Sequence, residues 1–388
     1  MMRTRTFFGV ALAAACTIAA SPAAGQAGLL LRARNAAGAD RLAADSAGGL
    51  VLRGAVGNGT LPAAGAGTRM MWYPGKAAFR AGQVTGTAWD DANVGVGSAA
   101  VGVDAQAAGT GAVALGAGAT APGAHAFAAG KTASAGGDYS VALGYGASSA
   151  GQHSLVFGMG AAAPGSYSVA LGKSATASGN FAAALGENAK ATGNNSVAIG
   201  TDVSTGGFGG AIILGDGSAL VPLNASANNQ FTVRASGGYR LFSSAQLSTG
   251  VTLSSGGGSW NSISDRNRKE GFLAVDGEAV LARIRALPVS TWRYRSEEDR
   301  AVRHIGPMAQ DWAAAFGLSP DTTTINTGDF DGVNLAAAQA LAARTDRLGE
   351  ADARHDARLR ALEAENRALR ARLERLEALL DARPATEP

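Results

Sequence analysis

Eight glycines fall on a strict 14-residue period: Gly102, Gly116, Gly130, Gly144, Gly158, Gly172, Gly186 and Gly200. A second series falls midway, at Gly109, Gly123, Gly137, Gly151, Gly165, Gly179 and Gly193. Such phase means one structural unit stacked many times. The residues ahead of the first series alternate, as in Val113-Ala114-Leu115, Val141-Ala142-Leu143, Val169-Ala170-Leu171 and Val197-Ala198-Ile199. A period of two marks a short strand with one apolar face, and the glycines suit tight turns with positive φ. The 14-residue unit reads as two short strands and two turns, one coil of a β-solenoid. Eight coils at the strand spacing would make a rod on the order of 35–40 Å long. Only seven charged residues lie between Ala92 and Gly215, so the rod keeps a largely uncharged surface that self-association would cover. A disordered Gly/Ala tract is the other reading of this composition; the phased Val/Leu pairs argue against it.

The whole chain, at 388 residues, has room for two or three domains. Its net charge of +3 is spread over both signs without a basic stripe, which argues against a nucleic-acid partner. Residues 1–27 read as a removable export signal: Arg3 and Arg5 precede an apolar run from Phe7 to Ala20, followed by small residues through Ala27. The run is short for a membrane anchor, and no other segment suits one. Cys16, the single cysteine, lies inside that signal, so the mature chain offers no disulfide or thiol chemistry. Leu12-Ala13-Ala14-Ala15-Cys16 is similar to a lipoprotein cleavage box, except that Ala13 stands where Leu is usual. Four scattered histidines give no metal spacing, the repeat glycines form no phosphate loop, and no cofactor is expected.

Residues 28–91 concentrate aromatics in Met70-Met71-Trp72-Tyr73, Phe79 and Trp89, which suits a β-rich cap on the solenoid or a ligand platform. After the repeats of 92–215, residues 216–259 read as a β neck, with strands at Asn229–Ala235 and Gly238–Phe242, ending in the flexible Gly256-Gly257-Gly258. Residues 260–349 are α+β: an amphipathic helix from Ala279 ended by Pro288, a strand over Val289–Arg295, a segment from His304 running into a helix through Phe316, and an Ala-rich helix after Asp331. Residues 350–388 hold a coiled coil. Leu359, Asn366, Leu373 and Leu380 share one core position, and Leu362, Leu369 and Leu376 the other. A core Asn366 would fix register and, in simple zippers, favours dimers. His355 is a polar core position that weakens the coil.

At the seam between the two halves stand Ser264 and Lys269, five residues apart. Serine is a poor nucleophile unless a base takes its proton. A lysine serves as that base only when burial or positive neighbours bring its pKa from about 10.4 toward 7–8, and Arg266 and Arg268 are candidates for such neighbours. Five residues along a helix rotate by about 140°, so the pair requires a bend after Ser264, or a lysine from a neighbouring chain. The plainer reading is that Ser264 or Asp265 caps a short basic helix.

Two resemblances follow. Tyr139-Ser140-Val141-Ala142-Leu143-Gly144, Tyr167-Ser168-Val169-Ala170-Leu171-Gly172 and Asn195-Ser196-Val197-Ala198-Ile199-Gly200 resemble the head repeats of YadA-like trimeric adhesins. The resemblance implies a mostly β fold, a left-handed parallel β-roll intertwined as a homotrimer, and a host surface or glycan as ligand of the head. The ending Arg383-Pro384-Ala385-Thr386-Glu387-Pro388 departs from that family's membrane-anchoring strands, so a complete autotransporter is not expected. Ser264-Asp265 with Lys269, Leu287-Pro288-Val289 with Trp292 and Tyr294, and His304-Ile305-Gly306 with Ala309-Gln310 resemble the intramolecular chaperone auto-processing domain of phage tailspikes and endosialidases. That resemblance implies a trimerising C-terminal α+β domain with Ser264 as nucleophile, Lys269 as base and Ile263–Ser264 as the scissile bond; His304 would be structural. The expected protein is an exported fibre with a self-releasing chaperone. A structural fibre whose C-terminal domain only trimerises is the alternative. A polysaccharide-degrading tailspike fits less well, because the 14-residue units leave no paired-carboxylate cleft.

Overall fold

The structure, a computed structural model, describes residues 29–218, 221–318 and 321–381. The expected export signal with Cys16 and the terminal Arg383–Pro388 lie outside the described residues. The chain divides into two compact units, one running to Tyr239 and including Ser254–Gly257, the other comprising Arg240–Leu253 and the residues from Gly258 onward.

The first unit is a β-solenoid. Three-residue strands such as Val113–Leu115, Phe127–Ala129, Val141–Leu143, Leu155–Phe157 and Val169–Leu171 stack in parallel, each paired with the residue 14 further on. On the opposite side two-residue strands pair in the same way, Ser134–Ala135 with Ser148–Ser149 and Thr176–Ala177 with Lys190–Ala191. The spacing widens at the end. Val197 pairs with Ile212, and Ile212 with Phe231. Phe231–Arg234, expected in a neck, is therefore a further rung of the solenoid.

The coil interior is narrow, and alanine fills it. Ala100, Ala114, Ala128, Ala142, Ala170, Ala184 and Ala198 form one fully buried column, with Val156 and Ile213 the larger members. Val and Leu on either side of each alanine point outward; Leu115, Leu155 and Ile199 stay over a third exposed and Phe157 is 60% exposed. The apolar face inferred from the alternation is thus the outer one, because two backbone layers this close leave room for little more than a methyl group.

An antiparallel hairpin, Gly67–Tyr73 with Ala78–Val84, closes the N-terminal end by pairing in parallel with Ala99–Val103. Its Arg80 is fully buried. The guanidinium donates to the Phe79, Ser98 and Ala107 carbonyls and to Ser98 Oγ, and burial pushes its pKa down to about 10. Ahead of the hairpin lies a three-stranded antiparallel meander, Leu29–Arg34, Asp40–Asp45 and Leu50–Leu52.

In the second unit, helix α1 (Gly277–Ala286) starts on Asp276, whose Oδ1 accepts from the Glu278 and Ala279 amides. A two-stranded ribbon, Ser290–Trp292 with His304–Gly306, precedes α2 (Ala309–Phe316). Helix α3 (Thr327–Asp381) is one continuous helix of 55 residues, unbroken where a separate coiled coil was expected to begin at 350. Val280, Trp312, Val333 and Ala337 form the core. Arg344 Nε and Arg347 Nη2 donate to Glu278 at 2.9 and 2.8 Å, tying α3 to α1, and these guanidinium groups hold the Glu278 carboxyl below its ordinary pKa.

Candidate functional site

The candidate site grows out of a strand edge. Gly250–Ser254 pairs antiparallel with Asn261–Ser262, Val251 facing Ser262. The Ile263 amide extends this ladder by donating to the Gly250 carbonyl at 3.1 Å. The ladder ends there, and the backbone turns.

Asp265 makes the turn. It caps a single 3-10 turn, Arg266–Arg268, its carboxylate accepting from the Asn267 amide at 2.9 Å. The Arg268 and Lys269 amides then bond the Asp265 and Arg266 carbonyls. Lys269 leaves the turn in extended backbone, φ −129° and ψ 150°, and its side chain returns over the chain that entered. Lys269 Nζ donates to Ser264 Oγ at 2.6 Å within one chain. Asp265 therefore caps the turn, while Ser264 Oγ accepts from the lysine.

The two arginines of the turn are engaged elsewhere. Arg268 donates to the Leu247 carbonyl at 3.0 Å and lies 3.6 Å from Asp265; Arg266 sits 4.8 Å over the Phe272 ring. Ser264 and Lys269 are both exposed, while Ile263 is half-buried. The geometry of a dyad is present in the single chain; the dry surroundings a lysine base requires are not.

His304 lies outside this site. Its Nε2 is 2.6 Å from Glu297 Oε1 and its ring stacks on Trp292 at 4.7 Å, and the contact holds the Glu297 carboxyl below its ordinary pKa. His125 and His153 are exposed repeat residues that belong to a ladder of stacked rings, His125–Tyr139–His153–Tyr167–Phe181, with centroids 4.8–5.1 Å apart. All five backbones are left-handed, with φ between 55° and 57°. Sequence reading missed this ladder, although these residues stand two places after successive half-period glycines.

Comparison with known families places both halves. The model described as YadA head domain repeat matches residues 94–119, 121–147, 149–175, 163–186 and 177–202. The model described as chaperone of endosialidase, a self-cleaving family, matches residues 264–319 and so begins at Ser264 itself. A search of curated proteins returned no match. The chain carries YadA head repeats over residues 94–202, followed by a chaperone of endosialidase domain over residues 264–319.

Proposed function

We propose that this chain is an exported homotrimeric fibre whose C-terminal domain trimerises it, guides its folding and then releases itself by cutting the Ile263–Ser264 bond. The observation that carries the reading is Lys269 Nζ on Ser264 Oγ at 2.6 Å, at the residue where the chaperone match begins.

The chemistry follows from covalent neighbourhood. Ser264 Oγ attacks the carbonyl carbon of Ile263, closing a five-membered ring, as its proton passes to Lys269 Nζ. The C–N bond then breaks, the Ser264 nitrogen takes the proton from Lys269, and an ester joins Ile263 to Ser264 Oγ. Water hydrolyses the ester, leaving an Ile263 carboxylate and a Ser264 N-terminus. Lys269 thus acts as base and then acid. For the first step it must be neutral, so the site must be covered by something absent from the lone chain. Neighbouring copies are that cover in this reading, and the cut then reports assembly.

Trimerisation has two supports in the chain. The outward Val and Leu columns of the solenoid are unpartnered. On α3, Leu341, Leu348, Leu359, Leu369, Leu373 and Leu376 are each over half exposed and lie on one heptad seam. Mass spectrometry of the purified full chain tests the proposal. A fragment of residues 264–388 beginning with Ser264 supports it. A trimer that stays intact at every pH and concentration would sink self-release and leave the second reading, a structural fibre with a permanent trimerisation domain. The exposure of the dyad favours that second reading.

A further inference from the structure

Helix α3 carries a longer seam than its leucine zipper. Counting by sevens, Leu341, Leu348, His355, Leu362, Leu369 and Leu376 share one position, and Thr345, Asp352, Leu359, Asn366 and Leu373 share the other. The helix is continuous through all of them. The face docked on α1 is a different one, carrying Val333, Ala337, Ala340, Arg344 and Arg347, so the seam is free from Leu341 onward. Its polar layers are not scattered. Asp352 and His355 occupy successive core layers, about 4.5 Å apart along the axis, between Leu348 and Leu359.

In a parallel three-stranded coil these layers become a ring of three aspartates next to a ring of three histidines. Three carboxylates on one axis repel each other, and three imidazoles there bury polar nitrogen without a partner. One divalent cation answers both: neutral imidazole nitrogens are its ligands, and its charge offsets the aspartates. Resting on the trimeric reading above, we propose that the three His355 side chains of the assembled trimer bind one zinc-like transition-metal ion on the coil axis, with Asp352 positioning the rings through their second nitrogens. The fourth position of a tetrahedral ion is left to water. Within one chain no group of three His, Cys, Asp or Glu among the described residues can hold a metal; this site exists only across copies. The ion therefore clamps the coil in register where its leucine packing is interrupted.

The test uses the full chain, stripped with a chelator and titrated with zinc sulfate, with sedimentation recorded on the same samples. The expected result is one zinc per three chains, a trimer that melts at higher temperature with zinc, and loss of both effects in His355→Leu. Leucine suits that core position, so this variant stays trimeric and separates metal loss from assembly loss. Asp352→Asn should weaken zinc binding about 10–100-fold while keeping the stoichiometry. A trimer that binds no more zinc than His355→Leu overturns the metal site and leaves the trimeric reading standing. A chain that sediments as a monomer or dimer, with no one-to-three binding, overturns both.

Discussion

Ser264 and Lys269 meet because they flank a single 3-10 turn, with Lys269 already back in extended backbone at φ −129° and ψ 150°, and do not share one helix. The five-residue spacing that would separate them on an α-helix brings them to 2.6 Å here, and the determinant is Asp265, the cap between them. Sequence alone showed that a bend was needed but not which residue builds it, since Ser264 and Asp265 are both good caps. Ser264→Ala and Lys269→Met should each leave the full-length band on a denaturing gel, with release slowed at least ~100-fold, the usual scale for removing a nucleophile or its base. The repeat glycines teach a similar lesson. The first series does carry positive φ, as at Gly186, but the half-period series does not. Gly179 is required because a Cβ there would lie 2.0 Å from the Gly193 carbonyl of the next coil. The left-handed residue of that turn comes two places later and bears a side chain, Phe181 in this coil and Tyr139 three coils earlier. Left-handed backbone costs a residue with a Cβ about 1–2 kcal/mol, and the ring stack offsets it. Tyr139 stacks on His125 and His153. Tyr139→Ala loses both contacts and keeps the strain, for about 1–3 kcal/mol. Tyr139→Gly loses the contacts but relieves the strain, so it should melt above the alanine variant. Equal melting temperatures would mean that the left-handed backbone is not under strain.

At the level of elements, the coils were legible because stacking demands an exact repeat, and the two glycine series record it. Which strand face turns inward was not legible. Val-Ala-Leu offers an apolar residue to either side, and only the thickness of the coil selects the alanine. The end of the solenoid was hidden for another reason: the spacing widens first at Ile212 and again before Phe231, so Phe231–Arg234 no longer falls on the period although it pairs with Ile212–Gly215. Asp216 anchors this last rung. It accepts from the Ser236 amide and hydroxyl at 2.6 Å, from Ser218 Oγ at 2.8 Å and from Arg234 Nε at 3.0 Å. These bonds, those from Ser236 foremost, hold its carboxyl well below the usual carboxylate range. A depressed pKa stabilises the fold when the group is ionised. The contribution is complete above the unfolded value of about 3.9 and fades as pH falls toward the folded value. Hydrogen exchange at the Phe231–Arg234 amides should therefore be flat from neutral pH to about 4, after correction for intrinsic rates, and quicken below it. Asp216→Asn should exchange faster throughout and lose that acid-dependent step. Helix α3 was legible in its leucines but not in its full extent, since Gly328, Gly332 and Gly349 weaken a helical pattern; packing of Val333 and Ala337 against α1 overrides the first two.

For the molecule as a whole, the head repeats pose a problem they cannot solve themselves. Shifting one rod by a coil against another still sets valine on valine and glycine on glycine, so only the end coils register the error. In the proposed trimer, a C-terminal domain that associates through a heptad seam broken by polar layers at Asp352, His355 and Asn366 would fix the stagger before the repeats zip. Such a template is dispensable once the rods are locked, and the dyad stands at the point where it would be released. In the lone chain that dyad is wet, so a chain that has not assembled should not cut. This links two regions distant in sequence, the coil seam and Ser264. Leu362→Asp with Leu369→Asp puts charge into two core layers of the coil and leaves every residue of the dyad and its turn in place. The double variant should remain monomeric and uncut, with the dyad residues intact. Its wild-type parent, unfolded and diluted, should release residues 264–388 with a half-time that shortens as chain concentration rises, because association precedes the cut. Sedimentation of the variant and gel densitometry of the parent over a tenfold or greater concentration range check both halves. Cutting by the monomeric variant, or a parental half-time indifferent to concentration, would mean that a single chain dries its own dyad and that release carries no information about assembly.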